Sequence, residues 1–237
     1  MIEQTYPGFD DFKSHFDLLL PAFRDRRYLK VDGKPIFGVY DPRDLPDTPE
    51  FVALWRRLAE DAGLPGVHFF GMSNTYDADV LAPFDMLMEF GPGDFINRAR
   101  RDLGSVIRRR LRLRDFTATF ARRLGPWFTR PLRFAYDEVV ETLTKAVWRD
   151  ARDVPCVTPN WDNTPRAGNR GAVFENCTPE LFERHLRHAV DLVASQPAQR
   201  RIVFLKAWNE WAEGNYVEPD RESGHRYLDA IRNVIVG

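Results

Sequence analysis

The sequence predicts an α/β fold in which parallel strands are covered by helices, as a sheet or a barrel. Short apolar runs of buried-strand composition alternate along the chain with stretches that repeat apolar residues at helical spacing. Polar and aromatic residues gather where those runs end. No hairpin signal is read between the runs. In folds of this class the chemistry sits at the carboxyl ends of the strands.

The elements follow in order. Phe12, Phe16, Leu19 and Phe23 recur at helical spacing after Asp10, so residues 10–24 form an amphipathic helix with Asp10 suited to its N-cap. Asp32-Gly33-Lys34 is a turn, and 35–40 (Pro-Ile-Phe-Gly-Val-Tyr) is an apolar strand. Residues 41–49, with three prolines, form a loop. Phe51, Leu54 and Leu58 mark a helix closed by Gly63. Residues 66–72 and 85–90 supply the second and third strands. A helix runs from about Tyr136 to Arg149, and 154–158 is the fourth strand. Thr178 caps a helix with Pro179 at its first position. A fifth strand, 202–205, and a helix through Tyr227, Ile231 and Ile235 finish the chain.

Composition limits the function. The 34 Lys and Arg balance 35 Asp and Glu, so overall charge points to no nucleic-acid partner. Two cysteines, Cys156 and Cys177, make neither a disulfide framework nor a zinc pattern. His68 reads as a core residue, and His185 and His188 lack a third ligand, so no metal or other cofactor is expected. Without a signal sequence or a membrane-length apolar run, the expected compartment is the cytoplasm. No Gly-x-Gly-x-x-Gly, P-loop or His-Glu-x-x-His motif is present.

The most informative stretch is 204–220, where a strand opens into Trp208, Asn209, Glu210, Trp211 and Glu213 before Gly214 and Pro219. Acid and base chemistry on a sugar needs two carboxyl groups in one pocket, with aromatic faces to stack on the ring. Glu210 and Glu213 are the catalytic candidates, and Trp208, Asn209 and Trp211 are candidate sugar contacts. A second strand exit, 160–171, offers Trp161, Asp162 and Asn163 for hydroxyls and rings, with Arg170 or Arg166 for a phosphate. Tyr40 and Glu89 end two further strands. Residues 96–133 interrupt the alternation with twelve arginines against Asp102 and Asp115. That stretch reads as a partly helical βα-loop insertion, either solvated or docking an anionic membrane surface or the diphosphate of a lipid-linked carrier or sugar donor.

These segments resemble a known family. Trp161-Asp162-Asn163-Thr164 with Gly168-Asn169-Arg170-Gly171, the 207–214 stretch with Glu218-Pro219-Asp220, and residues 28–35 are similar to the WbsX-like glycosyltransferases of lipopolysaccharide O-antigen and other surface-polysaccharide gene clusters. That family looks related to the family 99 glycoside hydrolases, endo-acting enzymes on a (β/α)8 TIM barrel. The resemblance implies that Glu213 is the general acid and that Glu210 is the base, acting on the substrate's own 2-hydroxyl. It implies a glycan or sugar-donor substrate and transfer or, alternatively, hydrolysis; the arginine-rich insertion is what would bring such a cytoplasmic protein to the inner membrane. The family's barrel begins three βα units ahead of the stretch found here at residues 2–6. Residues 1–237 are therefore expected to form one partial barrel domain, strands four to eight, completed by a missing N-terminal segment or a partner. The remaining alternative is a catalytically inactive, truncated glycan-binding barrel.

Overall fold

The computed structural model describes residues 5–6, 8–73, 78–89, 93, 95–96, 130–145 and 152–237. It has mixed α/β structure in two compact units. The first comprises Met1–Glu89, Arg149–Val154 and Gln196–Ile202, and the second Phe90–Trp148, Pro155–Ser195 and Val203–Gly237.

In the first unit, helix α1 (Phe9–Arg24) and strands β1 (Lys30–Val31) and β2 (Lys34–Tyr40) lead to α2 (Thr48–Asp61), β3 (His68–Ser73), α3 (Ala78–Leu81) and β4 (Met86–Glu89). Strands β2, β3 and β4 pair in parallel, as their apolar runs predict, and β4 pairs in parallel with Asp153–Val154. Phe16, Phe23, Trp55 and Phe69 are buried together between α1, α2 and the sheet, and the Trp55 indole N–H donates to the Phe12 carbonyl at 3.0 Å. The expected N-cap is displaced. Gly8 holds that position at φ 101°, and Asp10 lies inside the first turn with Asp11, where negative charge complements the helix dipole.

Residues 32–33 correct the expectation of no hairpins. Asp32 at φ 51° and Gly33 at φ 76° turn β1 back onto β2 as an antiparallel pair. Two consecutive positive φ angles are what a two-residue hairpin needs, and Asp-Gly supplies them at low cost. β1 thereby covers the start of β2 on the side away from β3.

The second unit holds β5 (Leu132–Ala135), α4 (Tyr136–Thr144), β7 (Cys156–Val157), α5 (Thr164–Ala167), β8 (Ala172–Glu175), α6 (Pro179–Val193), β9 (Phe204–Leu205), β10 (Asn209–Glu210), β11 (Asn215–Tyr216) and α7 (Arg226–Ile235). The expected fourth strand is divided at Pro155, which has no N–H for a ladder, into β6 (Asp153–Val154) in the first unit and β7 in the second. Strand β9 is shorter than expected and pairs in parallel with β7. β5 pairs in parallel with β8, and β10 turns back onto β11. Thr178 caps α6 as expected, its hydroxyl accepting from the Leu181 N–H at 3.3 Å.

Most of the arginine-rich stretch, 97–129, and its expected helical character lie outside the described residues. Its far end belongs to β5 rather than to a loop. Ile96 is buried beside Tyr136 and Trp161, and Leu132 packs against the same cluster, so both ends are anchored in the core of the second unit.

Candidate active site

Ten of the sequence-predicted site residues, Arg166 among them, fall in the second unit, on the segments that leave β7 and β9. The structure ties those segments together around Glu213. The Asp162 N–H donates to the Glu213 carbonyl at 2.8 Å. Arg166 Nη1 donates to Glu213 Oε1 at 3.0 Å, and Lys206 Nζ lies 4.0 Å from Oε2. The Glu213 side chain is 15% exposed. Two cations therefore face this carboxylate, where the sequence suggested a second carboxylate and indoles.

Gly214 makes the approach possible. Its φ of +50° is left-handed, and a Cβ there would stand 3.1 Å from Asp162 Cβ and 3.2 Å from its backbone nitrogen. Any side chain would push the two segments apart.

Trp161 is buried, with Lys206 Nζ 5.0 Å from its ring centroid. The indole thus serves as a wall and as a support for the ammonium group. Asp162 and Asn163, expected to bind hydroxyls, spend much of their capacity locally. Asp162 Oδ1 accepts from the Thr164 N–H and hydroxyl at 2.9 and 2.6 Å, which starts α5. Asn163 Oδ1 accepts from the Ala172 N–H at 2.8 Å, holding the loop to β8. Asn215 does the same work across segments. Fully buried, its Nδ2 donates to the Asn160 carbonyl at 2.7 Å and to the Lys206 carbonyl at 3.0 Å.

Glu210 and Asn209 lie on β10, and Trp208 just before it is 52% exposed. Trp211 is 49% exposed and stacks on Tyr216, their centroids 3.7 Å apart. Its indole N–H donates to Glu218 at 2.7 Å. Burial first, then the charge of Asp220 and its hydrogen bond, push the Tyr216 phenol above its ordinary pKa, so it stays a neutral donor. Arg170 is exposed on the short helical turn after α5. Tyr40 and Glu89 belong to the first unit, at the carboxyl ends of β2 and β4, where the register aligns Tyr40 with Met72 and Ser73 with Glu89.

Lys206, Asn215 and Tyr216 were not singled out from the sequence. The signal for Lys206 was available, because it directly follows an apolar strand and strand exits carry the chemistry in this fold class. Among the described residues no three His, Cys, Asp or Glu side chains are grouped to hold a metal ion. Among the same residues no helix is long and apolar enough to cross a membrane.

Two proteins called WxcX, from Xanthomonas campestris pv. campestris strain B100 and a second strain of that pathovar, are 30% and 29% identical over 99% of this chain. Both are described as uncharacterized, and this chain spans 31% of their length. A solved structure titled "Glycoside hydrolase-like protein" superposes on 94% of the chain and 60% of its own length, with a TM-score of 0.57 at 14% identity, a likeness of fold. The profile of the family described as "Glycosyltransferase WbsX" matches residues 1–231. With nearly its whole length matched, the chain belongs to the WbsX glycosyltransferase family.

Proposed function

We propose that this chain contributes the acid/base site of an enzyme that transfers glycosyl groups in surface-polysaccharide or O-antigen assembly. The observation that carries the proposal is the Glu213 carboxylate, pinned where the β7 and β9 exits meet and faced by Arg166 and Lys206. In this reading Glu213 gives a proton to the leaving oxygen while Glu210 takes one from the sugar's 2-hydroxyl, whose oxygen closes on the anomeric carbon as the leaving group departs. The acceptor hydroxyl then attacks that carbon and gives its proton to Glu213, and the released 2-oxygen takes its proton back from Glu210. Arg166, 64% exposed, is the partner that solvent and ligands reach. An incoming phosphate draws it away and frees Oε1 for the leaving group. Lys206, held over Trp161, stays behind. A partial (β/α)8 barrel is the architecture this reading assigns to the chain, supported by parallel pairing and by the likeness to a glycoside hydrolase-like fold.

The same likeness favours hydrolysis as the second reading. Incubating the protein with activated aryl glycosides or sugar nucleotides, with and without a glycan acceptor, separates the two. Transfer gives a lengthened acceptor and hydrolysis gives free sugar. Binding without either product would overturn both and leave a glycan-binding module.

A further inference from the structure

The ring pair beside the candidate carboxylates is built more firmly than a surface contact requires. Trp211 and Tyr216 stack with their planes 15° apart. Each is also fixed at its polar edge, Trp211 by Glu218 and Tyr216 by Asp220 at 3.2 Å. Asp220 is anchored in turn, because its Oδ1 accepts from the backbone N–H groups of Glu222 and Ser223. Four side chains therefore hold one aromatic surface in place, yet Trp211 keeps 49% of its area in solvent. Ordering an indole without burying it forgoes much of the hydrophobic gain an aromatic residue usually supplies. Such rigidity lowers the entropy lost when a ligand settles on the ring.

The pair opens on a cleft of ≈510 Å³ lined by Trp211, Tyr216, Pro219, Asp220, Arg221 and Glu222. That volume lies in the range of small-molecule sites, roughly 300–1,000 Å³. With Asp220 engaged in the turn, Glu222 and Arg221 are the exposed polar side chains on the wall. An apolar platform flanked by a carboxylate and a guanidinium suits a ring with one C–H face and a rim of hydroxyls. Carboxylates outnumber the one guanidinium, and Glu218 adds a further negative charge at the indole edge, so an anionic sugar is disfavoured.

We propose that this cleft is a subsite for one neutral pyranose of a glycan, stacked on Trp211 and hydrogen-bonded by Arg221 and Glu222. The proposal rests on the carbohydrate reading above but not on the acid/base roles of Glu210 and Glu213.

Saturation-transfer NMR of the protein with methyl glycosides of glucose, mannose, galactose and rhamnose, beside a methyl glucuronide, tests it. At least one neutral glycoside is expected to show transfer that falls at least fivefold in Trp211→Ala and in Glu222→Gln, with less transfer to the glucuronide. Glu222 is exposed, so its variant keeps the test valid if Trp211→Ala fails to fold. Overturning results are no transfer to any neutral glycoside, unchanged transfer in Glu222→Gln, or a glucuronide that binds as well. If Glu213→Gln retains turnover while transfer still depends on Glu222, the acid/base reading fails and the subsite stands. If Glu213→Gln is inactive and transfer ignores Glu222, the subsite fails alone.

Discussion

Arg166 and Glu213 form a 3.0 Å ion pair in which the cation is largely exposed and the carboxylate largely buried, at 64% and 15% side-chain exposure. The two residues leave different strands, so the pair closes the candidate site. Lys206 stands as a second cation at 4.0 Å. Replacing either cation alone leaves Glu213 with one partner. Arg166→Gln and Lys206→Met are each expected to cost about 0–1 kcal/mol, as partly exposed pairs do. Together they leave a shielded carboxylate uncompensated, and the double variant is expected to lose roughly 1–3 kcal/mol beyond the sum. Urea unfolding midpoints of the four proteins measure this coupling. Additive losses would show that the cations do not share Glu213.

Gly214 is expected to reject a side chain for two reasons, a left-handed backbone and the approach of Asp162. Gly214→Ala is expected to destabilise by about 1–3 kcal/mol. Gly214→Asn tolerates the dihedral better but meets the same neighbour, so it is expected to remain well below the native melting temperature. An unchanged melt for either would contradict the close approach.

Strands β2 and β3 contain a similar fit in the first unit. Gly38 stands opposite Phe70, and a Cβ there would run into the end of its ring. Gly38→Ala is expected to cost about 1–3 kcal/mol by overpacking, partly recovered by Phe70→Leu in the same chain. Chemical denaturation of the single and double variants checks the recovery, and simple additivity would count against the contact.

His185 is 5% exposed, and burial lowers its pKa to about 4 from 6.5, with His188 adding to the shift. The folded protein therefore binds fewer protons than the unfolded chain between those values. The stability this neutral histidine contributes is complete above pH 6.5 and is lost as pH falls towards 4, by roughly 3 kcal/mol in total. His68 shifts in the same direction, chiefly by burial. His185→Gln is expected to flatten the fall in unfolding free energy between pH 7 and pH 4.5. An equally steep fall in the variant would remove His185 as a source.

The long elements were legible in the sequence because each needs a continuous apolar stripe or run. α1, α2, α6 and α7 show Phe16, Phe51, Phe182 and Tyr227 on their buried faces. The strands that were missed are two to four residues long. Among them β10 and β11 carry Asn209, Glu210 and Asn215, polar residues with no strand preference, and their pairing comes from the turn at Gly214. Asp32-Gly33 reads as a turn in the sequence, and the hairpin it forms is hidden because its first strand, β1, is only two residues long. Around the candidate site, the residue types at the strand exits single out two segments that the structure joins at Glu213. What they could not show is that Asp162 and Asn163 spend hydrogen bonds on the loop itself, or that Lys206 rests over Trp161, since both depend on contacts between distant residues.

The central claim is that Glu213 handles the proton of glycosyl chemistry. Its most direct test is the turnover of Glu213→Gln beside the native protein, on whichever aryl glycoside or sugar nucleotide the native protein consumes, with thermal melts of both. The expected result is a loss of about 10²–10⁴-fold in kcat with a melting temperature close to native, the effect of removing a positioned general acid. Turnover within a few-fold of native in the folded variant would contradict the account.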